Sequence, residues 1–132
     1  IMRSAAHFGV QALLLPKHSN LSNSGAAARV AEGAAEYIPL VRLGRNENSI
    51  AQLQAAGFEL ITTVVRGGKN VFQTQLPKRC VLVMGAEQAG VAQELLAASK
   101  IKVEIPGTGY VESLNVSAAT AVLLAEWCRQ VK

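Results

Sequence analysis

The sequence predicts an α/β domain with a mostly parallel sheet and flanking helices. Short apolar segments alternate along the chain with longer amphipathic or alanine-rich segments, and most of the apolar segments end at glycine or proline. Such alternation is typical of βαβ units, whose strands pair in parallel. Half of the 132 residues are apolar and only 17% are charged, which is enough apolar material for one buried core. No linker divides the chain, so residues 1–132 are predicted to form one domain.

The strands are predicted from short apolar segments, several of them rich in β-branched residues. Pro39 is tolerated in a strand only near its start, because proline cannot donate to the ladder of backbone hydrogen bonds. The predicted strands are 10–15, 37–43, 58–65, 80–84 and 102–105.

The helices are predicted from composition, capping residues and glycine stops. The first helix ends at Gly9, and Asn48 or Ser49 is expected to cap another that Gly57 ends. The predicted helices are 1–8, 26–36, 48–56, 91–99 and 113–131, with loops at 20–24 and 66–69. The last helix carries small and apolar residues on one predicted stripe: Leu114, Ala118, Ala121, Val122, Ala125 and Cys128.

A ligand site is predicted at one edge of this sheet. Ligands of open parallel sheets bind outside the carboxyl ends of the strands. The loops after Val65, Met84 and Ile105 all leave such ends. The strand order alone therefore predicts that these three loops form the site.

The loop after Met84 contains a strand–glycine–helix pattern, VLVMGAEQAG over residues 81–90. Gly85 allows the backbone to approach a ligand closely. A dinucleotide-binding turn has glycine two residues later, where this chain has Glu87. That carboxylate repels a pyrophosphate but suits a ribose or a positively charged sulfonium. The alternative is that Glu87 only stabilises the start of a helix, and the pattern alone leaves both open.

The loop after Ile105 begins Pro106-Gly107-Thr108-Gly109 and continues into SLNVS over residues 113–117. Ser113 is the predicted N-cap of the last helix. Asn115 is explained less well by capping, because asparagine is a modest helix former. Near the other end of the chain, Arg3 lies on the first predicted helix, where an arginine is usually solvated.

The formal net charge of +4 fits a nucleic-acid partner. The densest basic cluster fits a solvated surface equally well, and comprises Arg66, Lys69, Lys78 and Arg79. Cys80 and Cys128 have no metal-ligand spacing and are too few for a disulfide scaffold, so we expect no metal site and a reduced, cytoplasmic setting. No apolar run is long enough for a membrane span.

Three segments together resemble the motifs of the SpoU (TrmH-type) RNA 2′-O-ribose methyltransferases of the SPOUT superfamily. Residues 1–9, IMRSAAHFG, are similar to the second half of the first motif, in which an arginine lies on a helix ending in Phe-Gly. Gly85-Ala86-Glu87 with Gly90, continuing to Ile105-Pro106, is similar to the second motif. Residues 113–119, SLNVSAA, are similar to the third. Their order and spacing fit the family and cover essentially the whole chain.

The resemblance implies an α/β fold with a C-terminal deep trefoil knot, a rare exception to un-knotted topology. It implies S-adenosyl-L-methionine as the cofactor, tRNA or rRNA as the substrate, and a homodimer with the active site at the interface. The small residues of the last helix fit either that interface or ordinary core packing. The implied cofactor-binding residues are Val64, Met84, Gly85, Ala86, Gly90, Ile105, Pro106, Leu114 and Asn115.

The implied reaction transfers a methyl group from a sulfonium to a ribose 2′-hydroxyl, so alignment of the two groups supplies much of the rate. Arg3 matches the catalytic arginine of the family. Because arginine stays protonated, we expect it to stabilise the developing alkoxide, with base catalysis as the alternative. The implied positions that hold Arg3 or the ribose are Glu87, Ser113 and Asn115.

Some family features are not found in these residues. The chain opens at Ile1 inside a predicted helix, so we expect an N-terminal strand and any RNA-binding domain to be missing from it. Gly107 stands where the family often has methionine. One alternative is a catalytically inactive relative, which retention of the motif residues disfavours. Another is a dehydrogenase-type nucleotide-binding domain, which Glu87 and the lack of a glycine two residues after Gly85 disfavour.

Overall fold

The computed structural model describes residues 1–17, 37–86 and 89–132. Within these residues the helices and strands follow in the predicted order, with one additional short strand. In chain order they are α1 (Met2–Phe8), β1 (Leu13–Leu15), β2 (Leu40–Arg42), α2 (Asn46–Ala55), β3 (Glu59–Thr63), β4 (Lys69–Asn70), a 3₁₀ turn (Val71–Gln73), β5 (Cys80–Val83), α3 (Gln93–Ala98), β6 (Ile101–Glu104) and α4 (Val116–Val131). No described helix is long and apolar enough to cross a membrane.

Every pairing between these strands is parallel, which confirms the predicted α/β class. A four-stranded sheet has the order β4-β6-β3-β5, and β1 pairs with β2 in a second, two-stranded sheet. Ile61 of β3 lies opposite Leu82 of β5 on one side and Ile101 of β6 on the other. The central position of β3 and β6 explains why Ile61 and Val103 are completely buried.

Two apolar clusters hold the sheets and helices together. The larger lies between the four-stranded sheet and α4 and consists of Ile61, Val71, Leu76, Val103 and Leu123. The smaller consists of Ala5, Ile38 and Leu124, and joins α1 to the other face of α4. Leu82 of β5 packs against both clusters. Helix α4 is therefore buried on two sides, which fixes α1 relative to the four-stranded sheet.

The last helix differs from its prediction in both start and phase. It begins at Val116 with Asn115 as its N-cap, so the predicted cap at Ser113 is wrong. The predicted stripe is also not the buried face of the helix, because Leu114 precedes the helix and Ala125 is exposed. The buried face is set by contact with both the sheet and α1, and consists of Thr120, Leu123, Leu124 and Glu126.

The other predicted elements are found with shifted ends. Pro39 lies just before β2, which is limited to residues 40–42. Helix α2 begins at Asn46, ahead of the predicted caps Asn48 and Ser49. The predicted loop 66–69 ends in β4, because Lys69 pairs with Val103. The loop predicted at 20–24 and the helix predicted at 26–36 lie outside the described residues.

A polar network joins the C-terminal half of α4 to the chain that precedes β5. Glu126 is 7% exposed and accepts two hydrogen bonds from Arg129, at 2.7 and 2.8 Å, and one from Gln130 at 2.8 Å. Gln130 in turn accepts from the Leu76 amide at 2.7 Å and donates to the Thr74 carbonyl at 2.9 Å. Buried polar groups with such complete partners stabilise one arrangement of the chain.

This network predicts a loss of stability in acid. Hydrogen bonds from Arg129 and Gln130 lower the pKa of the Glu126 carboxyl from 4.5 to about 2. A carboxyl with a lowered pKa contributes stability that is complete above its unfolded pKa and is lost as the pH falls towards its folded pKa. Glu126→Gln should therefore lower the Tm at pH 7, and the difference from the unmodified chain should shrink between about pH 5 and pH 2. Thermal unfolding followed by circular dichroism measures the Tm of both proteins at each pH.

The matched control is Glu94→Gln, since Glu94 is exposed on α3. Its Tm should follow that of the unmodified chain at every pH. A Glu126→Gln difference that stayed constant from pH 7 to pH 2 would contradict the role assigned to the Glu126 carboxylate.

Candidate active site

Three loops leave the same edge of the four-stranded sheet, as predicted. In the parallel register, Thr62 lies opposite Val83, and Thr63 lies opposite Val103. The carboxyl ends of β3, β5 and β6 are therefore level with one another. The 64–68 loop, the loop that begins at Met84 and the 105–115 loop all start there.

The 64–68 loop crosses β6 within five residues. It connects β3 to β4, and these strands lie on opposite sides of β6. Thr63 and Lys69 are both in register with Val103, so the chain passes from one side of β6 to the other at the level of that residue. The Val64 amide donates to the Val103 carbonyl at 2.9 Å.

Gly68 is required at this crossing because two backbone segments touch. A Cβ atom at Gly68 would lie 2.7 Å from the Val103 carbonyl carbon, 2.8 Å from the Glu104 nitrogen and 2.8 Å from Val64 Cγ2. These distances exclude any side chain. The amide of Gly68 donates to Glu104 Oε2 at 3.1 Å.

The loop after β5 is a tight turn closed by its own backbone. Ala86 and Gly90 exchange two hydrogen bonds, of 3.1 and 2.9 Å, and Gly90 adopts a φ of 68°. A Cβ atom at Gly85 would lie 3.1 Å from the Gly90 carbonyl carbon and 3.3 Å from Val91 Cγ2. Thr63 Oγ1 donates to the Val83 carbonyl at 3.0 Å and ties this turn to the end of β3. The predicted site residue Glu87 lies outside the described residues.

The 105–115 loop begins at the core and then runs over the surface. Ile105 is half-buried against the larger apolar cluster, whereas residues 106–115 are exposed. Tyr110 is 92% exposed. Ser113 and Leu114 lie in this exposed segment. Asn115 Oδ1 accepts from the Ala118 amide at 2.8 Å, so its oxygen caps α4. Capping therefore explains Asn115, contrary to the weaker interpretation made from its helix propensity.

Arg3 is exposed on α1, close to the start of α4. Ala5 of α1 is buried against Leu124, and the Ile1 nitrogen lies 3.5 Å from Ser117 Oγ. The packing of α1 on α4 therefore brings the first predicted motif to the third. Residues 113–115 directly precede α4, so the first motif lies near the segment that carries Ser113 and Asn115.

Two polar side chains at this edge were missed by the sequence reasoning. Thr63 belongs to a β-branched run that predicts only a strand, and Glu104 is a single carboxylate among apolar strand residues. The side chains of both residues form hydrogen bonds with backbone groups that are distant in sequence. A single sequence does not predict such pairs.

Two surface grooves lie elsewhere, near the amino ends of the strands. One of about 380 Å³ is lined by Gln54, Gly57, Phe58, Glu59, Leu60, Ala98 and Lys100. A second of about 530 Å³ lies between Glu59 and the 75–78 segment. Neither contains a residue of the three predicted motifs. We therefore take the loops at the carboxyl edge, which carry residues of the second and third motifs, as the candidate active site.

The family of the chain follows from comparison with known proteins. The model of the SpoU rRNA Methylase family matches residues 1–125. The chain belongs to this family, which confirms the resemblance found in the sequence. Family membership also removes the alternative of a dehydrogenase-type domain.

Similar proteins carry methyltransferase names. The chain is 42% identical over 132 residues to the uncharacterized tRNA/rRNA methyltransferase YfiF of Escherichia coli O157:H7, a match that covers 100% of this chain and 38% of that protein. It is 37% identical over 129 residues to the 23S rRNA (guanosine-2′-O-)-methyltransferase RlmB of Pseudomonas aeruginosa, covering 98% of this chain and 52% of that protein. The chain thus spans about half the length of these relatives or less.

Solved structures of the family have the same fold. The SpoU methyltransferase AviRb of Streptomyces viridochromogenes, solved in complex with the cofactor AdoMet, matches with a TM-score of 0.91 and 26% sequence identity. The match covers 98% of this chain and 53% of that chain. The TrmH/SpoU tRNA modifying enzyme of A. aeolicus matches with a TM-score of 0.85 and 26% identity, covering 98% of this chain and 66% of that chain.

The start of α4 gives a testable distinction between Ser113 and Asn115. Asn115→Ala should lower the free energy of unfolding by about 1 kcal/mol, because the Ala118 amide loses its acceptor. Asn115→Asp keeps an acceptor and should leave stability nearly unchanged. Ser113→Ala, two residues earlier, should change it by less than about 0.5 kcal/mol. Urea unfolding followed by circular dichroism measures the free energy of unfolding of all three variants. A larger decrease for Ser113→Ala than for Asn115→Ala would show that Ser113 is the N-cap.

Proposed function

We propose that residues 1–132 form the catalytic domain of an S-adenosyl-L-methionine-dependent methyltransferase that methylates a ribose 2′-hydroxyl of tRNA or rRNA. Membership of the SpoU family and relatives named as rRNA methyltransferases support this function. The observation that carries it is that the loops holding the second and third motifs leave one edge of the sheet, while α1, which carries the first motif, packs on α4. Such convergence is what a two-substrate reaction requires, because donor and acceptor have to be aligned.

The residues at the edge fit the cofactor. S-adenosyl-L-methionine carries an adenosine, which needs apolar contacts and backbone hydrogen bonds, and a positively charged sulfonium. The exposed backbone at Gly67, Gly90 and Gly107 has open space where a Cβ would lie. The half-buried Ile105 and the exposed Leu114 supply apolar surface. We assign the cofactor to Val64, Met84, Gly85, Ala86, Gly90, Ile105, Pro106, Leu114 and Asn115.

The bound cofactor supplies an electrophilic methyl group, and the side chains of the chain act on the acceptor. Arg3 stabilises the negative charge that develops on the attacking 2′-oxygen. It acts as a charge rather than as a base, since a guanidinium stays protonated. Ser113 and Glu87 orient the ribose or Arg3. Asn115 uses its oxygen as a helix cap, which leaves its amide NH₂ as the group that can donate to a ligand.

The proposal includes a deep trefoil knot formed by the C-terminal part of the chain. The position of β6 supports it, because β6 lies between β3 and β4 although only five residues join those two strands. Residues 64–68 therefore arch across β6, and the chain beyond β6 has to continue past this arch. The contact between Gly68 and residues 103–104 is the tight point of that arrangement.

The proposal also includes a homodimer in the cytoplasm. Large apolar side chains are exposed beside the site, at Val65, Tyr110, Val111 and Leu114. Apolar surface of this kind marks an interface. The small side chains of Ala118, Ala121 and Ala125 permit close approach of a second helix to α4. A second copy that covers this edge completes the active site at the interface.

The first test is calorimetric titration with S-adenosylhomocysteine, the demethylated product, beside NAD as a control ligand. We expect saturable binding of the former and none of NAD. Gly85→Val should weaken binding at least about tenfold, because its side chain meets the turn at Gly90 and the ligand beyond it. Gly44→Val is the matched control, since nothing lies within 4 Å of a Cβ at Gly44. Absence of binding by a folded, unmodified chain would contradict the proposal.

The second test addresses Arg3 by transfer of a radioactive methyl group to bulk tRNA and rRNA. Arg3→Ala should lower the rate about 100-fold or more, as removal of a group that stabilises a developing oxyanion does. Affinity for S-adenosylhomocysteine should stay unchanged, because Arg3 acts on the acceptor. Lys100→Ala, at the opposite edge of the sheet, removes a cation without effect on the rate. Full activity of Arg3→Ala would exclude the assigned role.

A further inference from the structure

The most constrained point of the candidate site is a side chain that the proposed mechanism does not use. Glu104 is the last residue of β6 and is half-buried. Its Oε2 atom accepts a hydrogen bond of 3.1 Å from the amide of Gly68, 36 residues away in sequence. Through this bond the last residue of β6 holds the last residue of the crossing, just before β4.

The surroundings leave the Gly68 amide little freedom. Gly68 lies directly on the backbone of residues 103–104, with no room for a Cβ atom. Two residues further on, Asn70 of β4 is in register with Glu104 itself. Glu104 therefore contributes its backbone to the β4–β6 ladder and its side chain to the 64–68 loop. Both contacts fix the same short stretch of chain.

The Glu104 side chain supplies an acceptor at this position. The hydrogen bond of 3.1 Å has an ordinary length, so its importance lies in satisfying the Gly68 amide. An apolar side chain would leave the part-buried amide of Gly68 without an acceptor, which destabilises that loop conformation. The effect on the fold is small because β4 and β6 remain paired, but the effect on the position of residues 64–68 is direct.

We propose that Glu104 is a positioning residue for the cofactor pocket, which fixes the 64–68 loop against the strand end from which Ile105 and Pro106 emerge; this inference rests on the proposed function. This hydrogen bond joins the 64–68 loop to the residue that directly precedes the 105–115 loop. A loop that is already ordered in the free protein loses little conformational entropy when the ligand binds, so the affinity for the ligand is higher.

The test compares three variants in titrations with S-adenosylhomocysteine. Glu104→Ala removes the acceptor and should weaken binding about tenfold, which corresponds to about 1.4 kcal/mol. Glu104→Gln keeps an amide oxygen as acceptor and should bind within about threefold of the unmodified chain. Glu94→Ala removes an exposed carboxylate of α3 and should have no effect. A purely structural role would lower the Tm of Glu104→Ala and leave its affinity unchanged, and that result would overturn the inference.

Hydrogen exchange of the Gly68 amide, followed by NMR, reports on the bond without any ligand. Its exchange should be about tenfold faster in Glu104→Ala than in the unmodified chain or in Glu104→Gln, because the Gly68 amide loses its acceptor. The Gly44 amide should be unaffected. Unchanged exchange at Gly68 would also overturn the inference.

The two measurements separate failure of this inference from failure of the proposed function. If the unmodified chain binds S-adenosylhomocysteine and Glu104→Ala binds it equally well, only the role of Glu104 is excluded. If the unmodified chain does not bind the ligand while the Gly68 amide still responds to Glu104→Ala, the hydrogen bond stands. In that case the proposed function fails, and the cofactor role of Glu104 fails with it.

Discussion

The arrangement of this domain depends on one steric constraint, the contact between Gly68 and the backbone of residues 103–104. It allows the chain to leave β3 and join the far side of β6 within five residues. As a result β6 is central rather than at an edge, and Val103 is completely buried. The same crossing places the loop after β3 against the last two residues of β6. The fold and the candidate cofactor pocket therefore both depend on the absence of a side chain at Gly68.

Helix α4 connects this sheet edge to the rest of the structure. Its start is fixed by Asn115, next to the proposed ribose-binding residues, and Leu124 near its middle packs on α1, which carries Arg3. Its last turns are tied to the 74–77 segment by Gln130 and by Trp127, whose indole donates to the Pro77 carbonyl at 3.1 Å. Besides the Asn115 cap, α4 is thus held by polar contacts at the end of the helix opposite the candidate site. Because the residues of the site are exposed, their packing contributes little to holding α4 in place.

The sequence predicts the class of fold well because its signals are local. Runs such as ITTVV over residues 61–65, closed by glycine, predict strands, and alternation with helices predicts parallel pairing. The carboxyl edge follows from strand order alone. Other features depend on distant partners. Both Ser113 and Asn115 are good capping residues, and only the path of the chain selects Asn115. Strand β4 has two residues and exists because Lys69 and Asn70 meet β6. For the same reason, no pattern in the sequence distinguishes Glu104 from any other strand residue.

The candidate cofactor loops are shaped by backbone contacts, and this explains how one fold accommodates divergent sequences. The turn between Ala86 and Gly90 and the crossing at Gly68 need particular glycines but few particular side chains. A backbone match with a TM-score of 0.91 at 26% identity is consistent with that requirement. Exposed side chains such as Tyr110 contribute little to the fold, so substituting them is expected to cost little stability. Under the proposed function, recognition of the RNA is therefore expected from these exposed residues, whereas the methyl donor is expected to be held by the backbone geometry of the loops.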